Sequence, residues 1–168
     1  LGGSATNVAV AAARHGHRVA LISRAGEDPF GDYIVGEAGR LGVDTRFISR
    51  VAGVPTPVTF CEIFPPDDFP LYFYRQPTAP DLEIRQEELD LDAIRQARIF
   101  WVTVTGLCKD PARTAQLAAL EARGRQGTTV LDLDYRPMFW ADPSEASGWV
   151  SRALEHVTVA VGNREECE

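Results

Sequence analysis

Leu1-Gly2-Gly3-Ser4-Ala5-Thr6-Asn7, continued by Val8-Ala9-Val10-Ala11-Ala12-Ala13-Arg14-His15-Gly16, is the stretch on which the reading of this chain turns. Two successive glycines permit a tight turn and let a ligand reach main-chain N–H groups with no Cβ in the way. The alanine-rich run behind them favours helix and closes at Gly16, a residue suited to a left-handed helix end. The turn therefore delivers Asn7 near a helix start, where free amides and the positive end of the helix dipole point outward. An Asn side chain both donates and accepts, which suits a polyol better than a phosphate alone. The same residues also serve a plainer purpose, a helix start whose small side chains allow close packing.

Working outward, Arg18-Val19-Ala20-Leu21-Ile22-Ser23 reads as a short buried strand. Asp28-Pro29, two residues after Gly26, then opens a helix that runs to Leu41 and closes at Gly42, with Asp28 as N-cap and Pro29 in the first turn. From Thr45 the pattern changes. Arg46-Phe47-Ile48, the run from Pro57 to Phe64, and Leu71-Tyr72-Phe73-Tyr74-Arg75 are rich in strand formers. Pro65-Pro66-Asp67-Asp68-Phe69-Pro70 forces a turn between the last two, so they predict a hairpin. Strands following one another without helices, in a chain that otherwise alternates, predict a small sheet added to an α/β body. Alternation sets Tyr72 and Tyr74 on one face and Phe73 and Arg75 on the other. Arg75 is then either a solvated edge residue or a fork for a carboxylate.

Pro77 to Glu88 reads as a loop, Leu89 to Ala97 as a helix, and Ile99 to Val104 as a buried strand. Gly106 follows at the strand's carboxyl end, where open α/β sheets gather their ligands. Asp110-Pro111 starts another helix, extending to about Arg123, and Thr128 to Asp134 is the next strand. It ends in Asp132-Leu133-Asp134-Tyr135-Arg136-Pro137. Acidic residues at such a strand end are costly unless they bind something. Arg136 either pairs with Asp132 or Asp134 and does no more, or reaches a substrate or phosphate oxygen with the acids near a hydrated Mg²⁺. One more helix from Pro143 to His156 and a strand from Val157 to Val161 lead to Gly162-Asn163-Arg164-Glu165-Glu166. Asn163 is placed to cap the next helix, and Asn-x-x-Glu is a capping-box variant.

Gly2-Gly3 through Asn7, with Gly16 and Gly26, resembles the first signature of the ribokinase-like carbohydrate kinases, the phosphofructokinase-B type, and agrees at every defined position. The resemblance implies an α/β, ribokinase-like fold: a mostly parallel sheet flanked by helices, with a small β-sheet lid from strands at about 45–76. Residues 1–168 would be the amino-terminal part of one such domain. The resemblance implies that Gly2, Gly3 and Asn7 hold substrate hydroxyls. The Tyr72 to Arg75 segment resembles the Tyr-Arg strand of sugar-acid kinases, which implies that Tyr74 and Arg75 meet the substrate from the lid. Asp-x-Asp-Tyr-Arg-Pro with Trp140, and the run from Pro57 to Ala79-Pro80-Asp81, resemble the inositol-catabolic branch, the 5-dehydro-2-deoxygluconokinases. There Arg136 would engage charged oxygens in support of catalysis. Asn163 and Glu166 match the family's Asn-x-x-Glu, which implies contact with ATP and Mg²⁺, Glu166 through water and Asp134 as a further metal candidate.

The family's Gly-Ala-Gly-Asp motif, with its catalytic Asp, and its adenine pocket have no counterpart in these residues. The expectation is thus a fragment, with Leu1 inside a motif and Glu168 at a helix start, inactive by itself. The implied activity of the whole protein is ATP-dependent phosphorylation of the terminal hydroxyl of 5-dehydro-2-deoxy-D-gluconate in inositol breakdown. Alternatives are a 2-keto-3-deoxygluconate kinase or fructokinase of the same family, or a non-catalytic sugar-acid-binding or dimerisation module. A homo-oligomer through the lid is the one protein partner expected.

Composition bounds the rest. A formal net charge of −7 argues against a nucleic-acid or anionic-membrane surface. Lys109 is the sole lysine, so anion recognition falls to arginine. No apolar run has the length of a membrane span, and Cys61, Cys108 and Cys167 lack metal or redox spacing, which predicts reduced thiols in the cytoplasm. P-loop, dinucleotide-binding and hydrolase-elbow motifs are absent.

Overall fold

Helices and strands alternate along most of the chain, as a mostly parallel α/β fold requires. A computed structural model describes residues 1–167. Its first half holds α1 (Ser4–Arg14), β1 (Ser23–Gly26), α2 (Pro29–Arg40), β2 (Ile48–Val51), β3 (Val58–Cys61) and β4 (Leu71–Tyr74). Its second half holds α3 (Leu91–Gln96), β5 (Ile99–Thr103), α4 (Ala112–Arg123), β6 (Thr128–Asp132), α5 (Ala146–Leu154), β7 (Val159–Val161) and α6 (Arg164–Cys167).

β5, β6 and β7 form a parallel sheet in that order, with Thr103 opposite Asp132 and Asp132 opposite Val161. The parallel pairing explains the apolar runs, because helices must cover such a sheet. Val104, Leu107, Leu117, Leu120, Leu131, Leu133 and Trp140 make the main core. Each fully buried Leu contributes roughly 1.5–3 kcal/mol relative to leaving it in water. Arg123, only 1% exposed, closes the far end of this layer. Its guanidinium donates to the carbonyls of Ile94, Arg98 and Thr128 and to Thr129 Oγ1, so carbonyl dipoles rather than a carboxylate solvate the buried charge.

β1 and β2 form a second parallel pair, joined through α2, with Ser23 opposite Ile48. Asp28 caps α2 as its sequence predicts, accepting the Gly31 amide at 2.8 Å. β3 and β4 are antiparallel, Val58 facing Tyr74 and Cys61 facing Leu71, and the proline-rich link between them is the expected turn. This hairpin is narrower than lid strands over about 45–76. The Arg46-Phe47-Ile48 run contributes to β2, which pairs with β1 and not with the β3–β4 hairpin. Strand propensity marks both segments alike, whereas the α2 crossover delivers β2 parallel to β1. β1 also starts later than the 18–23 run suggests, because upstream of Ser23 only an isolated bridge, Ala20 to Asp44, is made.

Candidate functional site

The site is built where β6 ends. Asp132, its last residue, accepts a hydrogen bond from the Ser4 hydroxyl, at the first residue of α1. Gly3 caps α1 at φ 90°, a conformation that disfavours any side chain, although a Cβ there would meet nothing within 4 Å. The backbone angle, rather than crowding, therefore calls for glycine. The Gly2-Gly3 turn and the start of α1 are thereby tied to the end of β6.

Two residues on, Asp134 Oδ1 meets Arg136 Nη2 at 2.7 Å, and Arg136 Nη1 lies 3.9 Å from Glu166 Oε1. Burial pushes the Asp134 carboxyl up from its ordinary value, Arg136 pulls it back, and the charges of Asp132 and Glu166 push it further up. Two carboxylates, Asp134 and Glu166, thus share one guanidinium, with the charge of Asp132 close by. Asn163 and Glu166 form the predicted capping box: Glu166 Oε2 accepts the Asn163 amide and Asn163 Oδ1 accepts the Glu166 amide, each at 2.9 Å. Glu166 does more than cap, because its Oε1 accepts the Tyr135 amide at 3.1 Å and stitches the two strand ends together. Gly162 makes this approach feasible, since a Cβ there would come within 3.0 Å of Leu133.

Arg75 reaches the same side from the hairpin. Its guanidinium lies 4.7 Å from the centroid of Phe139, three residues after Arg136, and Nη2 pairs with Asp81 Oδ2 at 2.7 Å. Phe73 packs edge-on against Phe139, with centroids 5.1 Å apart. Phe73 and Arg75 therefore form the inward face, as alternation predicts. Tyr74 is not brought into this group: the pleat turns it to the outer face, 66% exposed and edge-on to Phe60. Asn7 is exposed on α1 beside an open cavity of about 470 Å³ with Thr6, Val10, Arg14 and Leu41, and its side chain makes no hydrogen bond among the described residues.

The donor set fits a hydrated cation rather than a directly ligated one. Among the described residues no group of three His, Cys, Asp or Glu side chains converges on a common point. Both Glu166 oxygens are taken by amides, and one Asp134 oxygen is taken by Arg136. The excess negative charge is suited to meeting the water shell of Mg²⁺. Sequence reasoning passed over three contributors: Ser4, Asp81 and Phe139. Phe139 carried a signal, an aromatic ring in the turn straight after Arg136; Asp81 needed its partner across the loop, and Ser4 its partner 128 positions away.

Residues 1–168, the whole chain, match the pfkB family carbohydrate kinase model. The chain belongs to this family. It is 37% identical over 168 residues to 5-dehydro-2-deoxygluconokinase of Geobacillus kaustophilus, covering 99% of this chain and 50% of that protein. The crystal structure of 2-dehydro-3-deoxygluconokinase from Thermotoga maritima superposes with a TM-score of 0.88 at 26% identity, over 99% of this chain and 52% of that one. Fructokinase with bound ATP from Xylella fastidiosa superposes with a TM-score of 0.83 at 27% identity, over 94% and 49%. The chain thus spans about half the length of the family members it matches. The ribokinase-like fold, with its parallel sheets flanked by helices and its domain incomplete, agrees with the sequence reading.

Proposed function

We propose that the full-length protein transfers the γ-phosphoryl group of ATP to the terminal hydroxyl of a sugar acid, 5-dehydro-2-deoxy-D-gluconate, as one step of inositol breakdown in the cytoplasm. The observation that carries the reading is Arg75. It stands on the inward face of the hairpin, beside the turn that follows Arg136, and it already holds a carboxylate. A sugar acid offers the planar anion that a guanidinium fork matches, and a neutral sugar does not. The 37% identity to a protein named for that substrate supports the same choice.

In this mechanism Gly2, Gly3 and Asn7 line the sugar, Arg75 clamps its carboxylate, and Arg136 draws charged oxygens toward the end of β6. Mg²⁺ entering with ATP would supply charge neutralisation at the phosphates. Glu166, Asp134 and Asn163 would face its water shell and the phosphates. Such catalysis rests on positioning and electrostatics. No helix among the described residues is long and apolar enough to cross a membrane. On the outer face of the hairpin Phe60, Tyr72 and Tyr74 are each at least half exposed, an apolar surface that supports a homo-oligomer formed through the lid.

The test is turnover by the full-length protein with Mg²⁺-ATP and three acceptors. Phosphorylation of 5-dehydro-2-deoxy-D-gluconate with the highest kcat/KM is the expected outcome. Preference for 2-keto-3-deoxygluconate would favour the second reading, which the likeness to the Thermotoga maritima structure supports. Preference for fructose, or binding without phosphorylation, would defeat the proposal.

A further inference from the structure

The guanidinium of Arg75 is only partly used. Nη2 makes a single-point contact with Asp81 Oδ2 at 2.7 Å, and the second, parallel bond of a bidentate pair is not made. Both side chains are partly sheltered, 16% and 32% exposed. The two residues belong to different supports. Arg75 sits at the end of β4 on the hairpin, whereas Asp81 lies in the short turn Pro80–Glu83, whose Pro80 and Leu82 are buried in the body.

We propose that Asp81 is an internal counter-ion of Arg75, occupying the guanidinium until a substrate carboxylate replaces it and thereby setting the affinity for anionic sugars. The proposal rests on the reading of Arg75 as the substrate clamp. One guanidinium does not neutralise two carboxylates equally, so an incoming acid competes with Asp81. It prevails by offering the bidentate contact that Asp81 does not make. Until then only the fraction of Arg75 free of Asp81 is competent to bind, and the apparent affinity is reduced to that fraction of its intrinsic value. Meanwhile the contact holds the hairpin foot to the body and keeps Arg75 over Phe139, next to where the acid arrives.

Isothermal titration of the full-length protein with 5-dehydro-2-deoxy-D-gluconate, and separately with ATP, tests this on Asp81→Asn, Asp81→Ala, Arg75→Met and the double variant Asp81→Asn/Arg75→Met. Thermal melts verify that each is folded. Both Asp81 variants are expected to bind the sugar acid roughly three- to tenfold more tightly, as for release of a partly sheltered ion pair, with ATP affinity unchanged. The gain should vanish in the Arg75→Met background. Weaker or unchanged sugar-acid binding by both Asp81 variants overturns the proposal, as does a gain that survives in the double variant. If Arg75→Met leaves sugar-acid binding intact, the clamp reading falls and this inference falls with it. If Arg75→Met weakens binding while the Asp81 variants gain nothing, the inference alone fails.

Discussion

Two acidic corners of this molecule look alike in sequence and differ in physics. Asp28 and Asp134 each lie two residues beyond the end of a parallel strand, β1 and β6. At Asp28 both carboxylate oxygens are met by backbone amides, Gly31 at 2.8 Å and Thr56 at 2.7 Å. The Thr56 amide is the largest cause holding its carboxyl below the ordinary value of 3.8. The acid is fully satisfied by the fold, and what it does is join the α2 start to the chain entering the hairpin. At Asp134 burial dominates, the charges of Asp132 and Glu166 add to it, and one arginine is shared by Asp134 and Glu166. The carboxyl is held above its ordinary value. The difference teaches which acid serves stability and which keeps a field for a ligand: neutralisation by amides marks the first, and a shared, insufficient cation marks the second.

The largest effect that would break this comparison is expected from Arg136→Met in the full-length protein. Removing the one guanidinium from the group should lower kcat/KM by about 2–5 kcal/mol, the range for truncating one partner of a sheltered charge pair. Steady-state kinetics with normal activity would show that the carboxylates need no cation there.

Next in size is Asp28→Ala, which removes an N-cap and the hydrogen bond from Thr56. A stability loss of about 1–3 kcal/mol is expected in urea titration, with kcat nearly unchanged in the folded fraction. Its pH signature has a definite sign. Because the folded-state value lies below the unfolded one, the contribution of Asp28 is complete above the ordinary carboxylate value. It fades as pH falls through the lowered value. Wild type and variant should therefore converge in acid, and a stability gap that stays constant down to the lowest pH would assign the loss to packing instead.

The smallest expected stability effect is that of Asp134→Asn, and its sign is opposite. With the folded-state value raised, ionisation works against the fold as pH rises from the ordinary value through the raised one. The Asn variant should melt no lower than wild type at neutral pH, while catalysis suffers. A clear drop in Tm at pH 7 would mean that the Arg136 pair outweighs desolvation, and that Asp134 belongs with Asp28 as a structural acid.

What the sequence by itself determined is local. Asp28-Pro29 states a helix start, Asn-x-x-Glu states a capping box, and the period-two pattern of Tyr72 to Arg75 sorts the hairpin faces. Each rests on hydrogen bonds or periodicity within a few residues; the fold was legible through the resemblance carried by the Gly-Gly to Asn7 spacing, and the match of residues 1–168 to the family model agrees with it. The tertiary structure alone decided which sheet each strand joins, so that Ile48–Val51 pairs with β1 and not with the hairpin. It also decided that Ser4 meets Asp132, that Glu166 takes the Tyr135 amide, and that Arg75 finds Asp81 on one side and Phe139 on the other. Residue type and spacing set what a side chain can bond to within its own turn. Partners far along the chain follow from how helices and strands pack, and β-propensity, caps and charge say nothing of that by themselves.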